Sequence, residues 1–234
     1  TAALRARAQC AEIRPAKALR AKKGAGMLSR TGRPFVQTVF GPIAKLFVKM
    51  GVSADAVTLT GTVLGVALSL TLLPTNRLVL GSLSLGGLAL FDSIDGQIAR
   101  LTNTSSKWGA FLDSTLDRIT DVAIFSGLLA WAYLHGESGA MRTFLMIGLL
   151  AAMGTGSVVP YARARAEGLG MTASVGIAER ADRLVIILFS ALFVGLGLPQ
   201  WILLASAWYL AAAGLVTVVQ RMAVVYRQAH ETAE

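Results

Sequence analysis

Charge is scarce in this chain. Charged residues fill 15% of its 234 positions, hydrophobic residues fill 54%, and mean hydropathy is +0.61. An ordinary soluble domain carries about 25% charged residues and shorter apolar runs, so the balance excludes a water-soluble globule. Cysteine is nearly absent: Cys10 stands alone, which excludes an intramolecular disulfide and any cysteine-based metal spacing. The two histidines, His135 and His230, lie away from the acidic residues discussed below, and neither is assigned a role. Alternating segments of about ten residues, the mark of a membrane-spanning β-barrel, are missing. No internal repeat and no low-complexity tract occurs. Acidic residues are few as well, 13 against 22 Lys and Arg.

What remains is a series of long apolar runs. Six are long enough, or nearly so, to cross a hydrocarbon core that needs ~20 helical residues. They fall at about 55–74, 78–100, 108–134, 141–165, 182–198 and 200–225. Helices satisfy their own backbone groups in lipid, so the expected fold is an all-α integral membrane protein with six transmembrane helices. Residues 34–50 carry apolar positions at helical spacing opposite Lys45 and Lys49, which predicts an amphipathic helix lying in the interface and bent at Pro42. Met27 resembles a natural start. Residues 1–26 read as a basic extension, a fusion remnant or a linker, and residues 27–234 as one six-helix domain.

The positive charge is unevenly placed. Eleven Lys and Arg lie in residues 1–50. Arg100, Lys107, Arg163, Arg165, Arg180 and Arg183 fall in alternate connections, whereas the intervening ones hold only Arg77 and Arg142. Cytoplasmic loops collect Lys and Arg, so both termini are expected in the cytoplasm of a multi-pass cell-membrane protein. Such a basic face suits anionic lipid headgroups rather than nucleic acid. Trp131, Tyr133 and Trp201 lie near span ends, where an interfacial aromatic belt is expected.

Against this background one stretch stands out. Five of the 13 acidic residues, Asp92, Asp95, Asp113, Asp117 and Asp121, fall between Phe91 and Asp121. Asp92 and Asp95 are three apart near the end of the second span; Asp113 and Asp117 are four apart near the start of the third. Each pair shares a helix face. The short connection predicts that the two spans are antiparallel neighbours and that the pairs meet at similar depth. Four carboxylates at low dielectric repel and take up protons unless cations sit among them. Hard divalent cations, Mg²⁺ or Mn²⁺, suit an all-oxygen donor set. Asp121, one turn beyond Asp117, suits a supporting or salt-bridge role at least as well as metal binding. Gly96, Ala99 and Gly109 leave room beside the acids, Arg100 offers a guanidinium, and Ser106 offers a hydroxyl. Together these suit a nucleotide diphosphate at the membrane surface.

These residues carry a resemblance. Asp92, Asp95, Gly96, Ala99, Arg100, Gly109, Asp113 and Asp117, at their spacing, are similar to the signature of the CDP-alcohol phosphotransferase family. The resemblance implies cleavage of the pyrophosphate of a CDP-linked donor, release of CMP and transfer of the phosphoryl-alcohol portion to an acceptor hydroxyl. It implies two metal ions per site held by Asp92, Asp95, Asp113 and Asp117, with Asp117 also the general base. It implies that Gly96, Ala99, Arg100, Ser106 and Gly109 hold the CDP-diacylglycerol donor, with Asp55, Ala56, Val57 and Thr58 contacting its nucleotide. It also implies a homodimer.

The signature leaves the acceptor open. Arg163, Arg165, Arg180 and Arg183 are expected at the same cytoplasmic mouth, where Arg163 and Arg165, two apart, cannot both face the site and Arg180 and Arg183, three apart, can; clustered arginine suits an acceptor phosphate. Inositol phosphate and glycerol 3-phosphate both qualify. The "ARARAEGLG" and "ERADRLVI" stretches resemble actinobacterial phosphatidylinositol phosphate synthases, which favours inositol phosphate. A cation transporter is the rival from another class, but it needs acids at several depths, and here all four lie near one face.

Overall fold

A computed structural model describes residues 53–101, 106–177 and 180–231, with the backbone alone for residues 54 and 91–101. The extension 1–26 and the amphipathic stretch 34–50 lie outside the described residues. Among the described residues six helices follow one another: α1 (Ala54–Leu72), α2 (Leu78–Leu101), α3 (Lys107–His135), α4 (Ala140–Gly168), α5 (Arg180–Gly195) and α6 (Trp201–Glu231). Their bounds match the six apolar runs to within a few residues.

Local chemistry sets the ends. Ser53 caps α1 by accepting a hydrogen bond from the Ala56 N–H at 3.2 Å, and Asp55 in the first turn complements the helix dipole. Ser106 caps α3 in the same way, accepting from the Gly109 N–H at 2.9 Å. Between α1 and α2 the chain reverses through Asn76, whose φ of 61° is a left-handed conformation that asparagine tolerates.

The principal packing pairs are α1 with α2, α2 with α5, α5 with α6, α6 with α4, α4 with α3, and α3 with α1. They close into a ring whose spatial order is α1–α2–α5–α6–α4–α3. The expectation that the second and third spans pack as direct neighbours is therefore corrected. Among the described residues α1 stands between them, packing on both. Small side chains permit this. Gly65 of α1 lies so near Thr120 of α3 that an added Cβ would sit 3.4 Å from its methyl group, and a Cβ on Gly127 of α3 would collide with the backbone of Ser69 of α1. Inside the ring, Phe125, Leu128, Leu145, Leu149, Ile187, Leu203 and Leu210 are fully buried. In lipid such packing, rather than expulsion of water, holds helices together, helped by interhelical hydrogen bonds. Ser190 of α5 and Ser206 of α6 make one, at 2.6 Å.

Among the described residues, three helices are long and apolar enough to cross a membrane: Asp55–Leu72, Ala140–Gly168 and Trp201–Glu231. The part of α2 described with its side chains, Leu78–Leu90, is a shorter apolar segment; α3 is interrupted by Asp113, Asp117, Arg118 and Asp121, and α5 has 16 residues.

The connections after α1, α3 and α5 meet at one end of the ring. There the Trp131 indole donates to Asn76 Oδ1 at 2.8 Å, a ring nitrogen of His135 bonds the Pro74 carbonyl at 2.9 Å, and the Glu137 N–H donates to the Gln200 side chain at 3.0 Å. Trp131 is 4% exposed, so the expectation of a place in an interfacial belt is corrected for it: its N–H is satisfied inside the protein. Tyr133 and Trp201 are exposed.

Candidate active site

At the opposite end, α3 presents Asp113, Asp117 and Asp121 at four-residue intervals, and so along one face. Asp113 is exposed. Asp117 is mostly covered, with 16% of its side chain accessible, and Asp121 is buried. α5 meets this face with two arginines. Arg180 reaches Asp117 Oδ1 at 2.8 Å through one terminal nitrogen and Asp121 Oδ1 at 3.3 Å through its Nε. Arg183, 4% exposed, reaches Asp121 Oδ2 at 3.1 Å. The Arg118 guanidinium lies 3.8 Å from Asp117 Oδ2. Thus the two oxygens of Asp121 are divided between the two arginines of α5, and Asp117 lies between Arg180 and Arg118.

The second terminal nitrogen of Arg183 donates to the Gly156 carbonyl of α4 at 2.8 Å. The sequence provides that carbonyl. Pro160 lies four residues on and has no N–H, so the α-helical bond to Gly156 O is not made. Gly156 also provides the space, because an added Cβ would fall 2.5 Å from the guanidinium. "GTGSVVP" is therefore a seat for a buried cation as well as a break in helix bonding.

A cavity of about 70 Å³ adjoins these charges. It is lined by Val57, Gly61 and Gly65 of α1, Leu85 and Ala89 of α2, Asp117 and Thr120 of α3, and Arg180 and Leu184 of α5. Asp117 and Arg180 are its charged members; the rest is apolar or hydroxylic. Nearby, Asp55 at the start of α1 comes close to the capped start of α3: a Cβ on Gly109 would lie 3.4 Å from Ser106 Oγ and 3.6 Å from Asp55 Oδ1. The folded chain thus brings together three residues expected to hold the donor, Asp55, Ser106 and Gly109, and sets Val57 beside them in the cavity wall. Ala56 is exposed and Thr58 buried.

The backbone of α2 continues as helix through Asp92, Asp95, Gly96, Ala99 and Arg100, which keeps the acidic pair at i and i+3; these side chains lie outside the described residues. Arg163 and Arg165, near the end of α4, are exposed, and Arg163 pairs with Glu167 at 2.8 Å. The structure therefore gathers Arg180 and Arg183 at the acids and leaves Arg163 and Arg165 on the surface. Among the described residues, Asp113 and Asp117 are the side chains suited to a metal. Their donors are carboxylate oxygens alone, and both histidines bond elsewhere, His135 to Pro74 O and His230 to Tyr226 O. This donor set fits a hard divalent cation and not zinc.

Two arginines escaped the sequence reading. Arg118 follows Asp117 directly, and Arg221 of α6 donates to the carbonyls of Val159 and Val175, tying the connection after α4 to α6. Both are charges inside apolar runs, and that position was the available signal.

The model of the CDP-alcohol phosphatidyltransferase family matches residues 52–219, which include α1 to α5 and most of α6. Among curated proteins, the chain is 41% identical over 197 residues to the phosphatidylinositol phosphate synthase of Mycobacteroides abscessus, covering 84% of this chain and 86% of that protein. It is 40% identical over 214 residues to the enzyme of the same name from Streptomyces avermitilis, covering 89% and 86%. Among solved structures, it is similar to the Mycobacterium tuberculosis phosphatidylinositol phosphate synthase with CDP-DAG bound, with a TM-score of 0.74 and 38% identity over 81% of this chain and 94% of the other. The same M. tuberculosis protein in complex with manganese and citrate gives a TM-score of 0.75 at 37% identity, over 80% and 89%. With the signature acids, the capped helix start and the charged cavity in one ring of six helices, the chain belongs to the CDP-alcohol phosphatidyltransferase family.

Proposed function

We propose that this chain transfers the phosphatidyl group of CDP-diacylglycerol to a hydroxyl of inositol phosphate, giving phosphatidylinositol phosphate and CMP. The observation that carries the acceptor is Arg180, a guanidinium in the cavity wall 2.8 Å from Asp117. A fixed guanidinium beside the proton-accepting carboxylate can hold an acceptor by its phosphate and leave its hydroxyl facing Asp117. The relatives at about 40% identity carry the same reaction in their names.

In this reading the acceptor oxygen forms a bond to the phosphorus that bears diacylglycerol. The pyrophosphate bond to CMP breaks, and Asp117 accepts the hydroxyl proton. Asp92, Asp95, Asp113 and Asp117 would hold two divalent cations, Mg²⁺ or Mn²⁺, which when bound stabilise charge on the phosphoryl oxygens. Asp55, Ala56, Val57, Thr58, Gly96, Ala99, Arg100, Ser106 and Gly109 would hold the donor. The acceptor-phosphate role is proposed for Arg180, with Arg183 behind it and Arg163 and Arg165 at the end of α4. All six helices would span the cell membrane as one domain over residues 27–234, with the site and both termini cytoplasmic and the chain a homodimer.

The test is CMP release by purified protein in detergent with Mg²⁺ and CDP-diacylglycerol. Inositol phosphate, glycerol 3-phosphate, free inositol and serine are offered in parallel, each beside Asp117→Asn. Release with inositol phosphate alone, lost in the variant, is expected. Release with glycerol 3-phosphate instead keeps the chemistry and changes the product to phosphatidylglycerophosphate. No release with any acceptor, joined to cation flux in vesicles, would return the transporter reading.

A further inference from the structure

We infer that Asp121 and Arg183 are positioning residues that act on the reaction through Arg180. The inference rests on the proposed function for what Arg180 binds, but not for how Arg180 is held. Asp121 lies one helical turn beyond Asp117 and is buried at 5% exposure. Its Oδ1 accepts the Arg180 Nε at 3.3 Å, and its Oδ2 takes Arg183 at 3.1 Å. Arg180 is accordingly gripped at two points, Nε on Asp121 and a terminal nitrogen on Asp117 at 2.8 Å. Two grips fix both the position and the plane of a guanidinium, which one ion pair does not.

Arg183 shows why Asp121 stays put. A buried carboxylate with a single partner can rotate to follow it. Here the second oxygen is anchored to a cation that is itself anchored to backbone, the Gly156 carbonyl at 2.8 Å. Pro160 leaves that carbonyl without its helical partner, and Gly156 lacks the Cβ that would displace the guanidinium. The chain of contacts runs from α4 through α5 to α3 and back to α5, and ends on the arginine in the cavity wall. Arg183 does not line that cavity. Its influence on an acceptor phosphate is therefore transmitted by Asp121 and Arg180.

The test is a double-substitution cycle read in steady-state constants for both substrates, using Asp121→Asn, Arg180→Ala and the two combined. Removing a charge-assisted hydrogen bond to Arg180 is expected to raise the inositol phosphate KM about tenfold, with the CDP-diacylglycerol KM within about twofold and kcat within about threefold of the parent. Arg180→Ala is expected to do at least as much. The pair is expected to equal Arg180→Ala alone, because Asp121 has nothing left to position. Effects that multiply would overturn the inference, since Asp121 would then act by another route. If Arg180→Ala moves the CDP-diacylglycerol KM instead, the acceptor reading falls, and coupling in that constant upholds the positioning role. If it moves no constant, both fall. Should Asp121→Asn fail to accumulate in membranes, Asp121→Glu keeps the charge that Arg183 needs while shifting its oxygens, and the same coupling is expected. Gly156→Ala, which pushes Arg183 from the other side, is expected to raise the same KM less and to be silent in the Arg180→Ala background.

Discussion

The two ends of the helix ring deal with buried polarity in opposite ways. At the end formed by the connections after α1, α3 and α5, most bonds are neutral and local in purpose: Trp131 to Asn76, His135 to Pro74 O, Glu137 N–H to Gln200. One cation, Arg142, joins them by donating to Gly136 O at 2.8 Å. Each of these bonds can be removed without stranding a charge. At the site end, Asp117 and Asp121 are shared among Arg180, Arg183 and Arg118, so that both acids and Arg180 each hold two charged partners. The first arrangement seals the bundle. The second fixes charges in space, and costs desolvation that only a complete network offsets.

Substitutions at the two ends should separate these roles. The largest effect is expected at Asp117. Asp117→Asn should lower CMP release by about 10²–10⁴-fold, the range for loss of a general base, or by more if the side chain also binds metal. The unfolding temperature in detergent should remain measurable, and an active variant would refute the assignment. Next comes Arg183→Met, which leaves Asp121 buried with only Arg180. Breaking one side of a buried pair costs about 3–5 kcal/mol, so a marked drop in thermal stability is expected by light scattering or fluorescence. At the sealing end, Trp131→Phe removes one neutral hydrogen bond and should cost about 0.5–1.5 kcal/mol with kcat unchanged. If it altered kcat, the division between sealing and site ends would not hold. The smallest effect is expected from Glu167→Gln, which breaks the exposed pair with Arg163 and should change stability by about 0.3–0.5 kcal/mol at low salt.

Much of this was readable in the sequence. The six helices were, because an apolar run bounded by Ser, Pro or Gly has one economical conformation in lipid. The shared face of Asp113 and Asp117 was, because a four-residue spacing fixes it on a helix. Three features were not. The place of α1 between α2 and α3 depends on how closely Gly65 and Gly127 let helices approach, which spacing along one chain does not encode. The burial of Trp131 depends on Asn76, 55 positions away. Arg183 has the composition of an acceptor ligand, and only its neighbours reveal that its guanidinium is occupied by Asp121 and Gly156 O. Gly156 and Pro160, four apart, were a legible pattern that reads as a kink until the freed carbonyl is followed to its donor.

The order of the ring bears on how the protein is made. α3 leaves the ribosome with Asp117 and Asp121 in place, while Arg180 is 59 residues further along the chain than Asp121. At ~5–20 residues per second the acids wait about 3–12 s for their cations. During that interval α1, α2 and α3 hold carboxylates that are unpaired with α5, and in a membrane such groups stay hydrated at the interface or take up protons. Docking of α5 beside α2 is thus an ionic event as well as a packing event: it delivers the guanidiniums that pair with Asp117 and Asp121. The site is completed late in biosynthesis, and the half-built bundle holds the binding surface for those arginines before they exist.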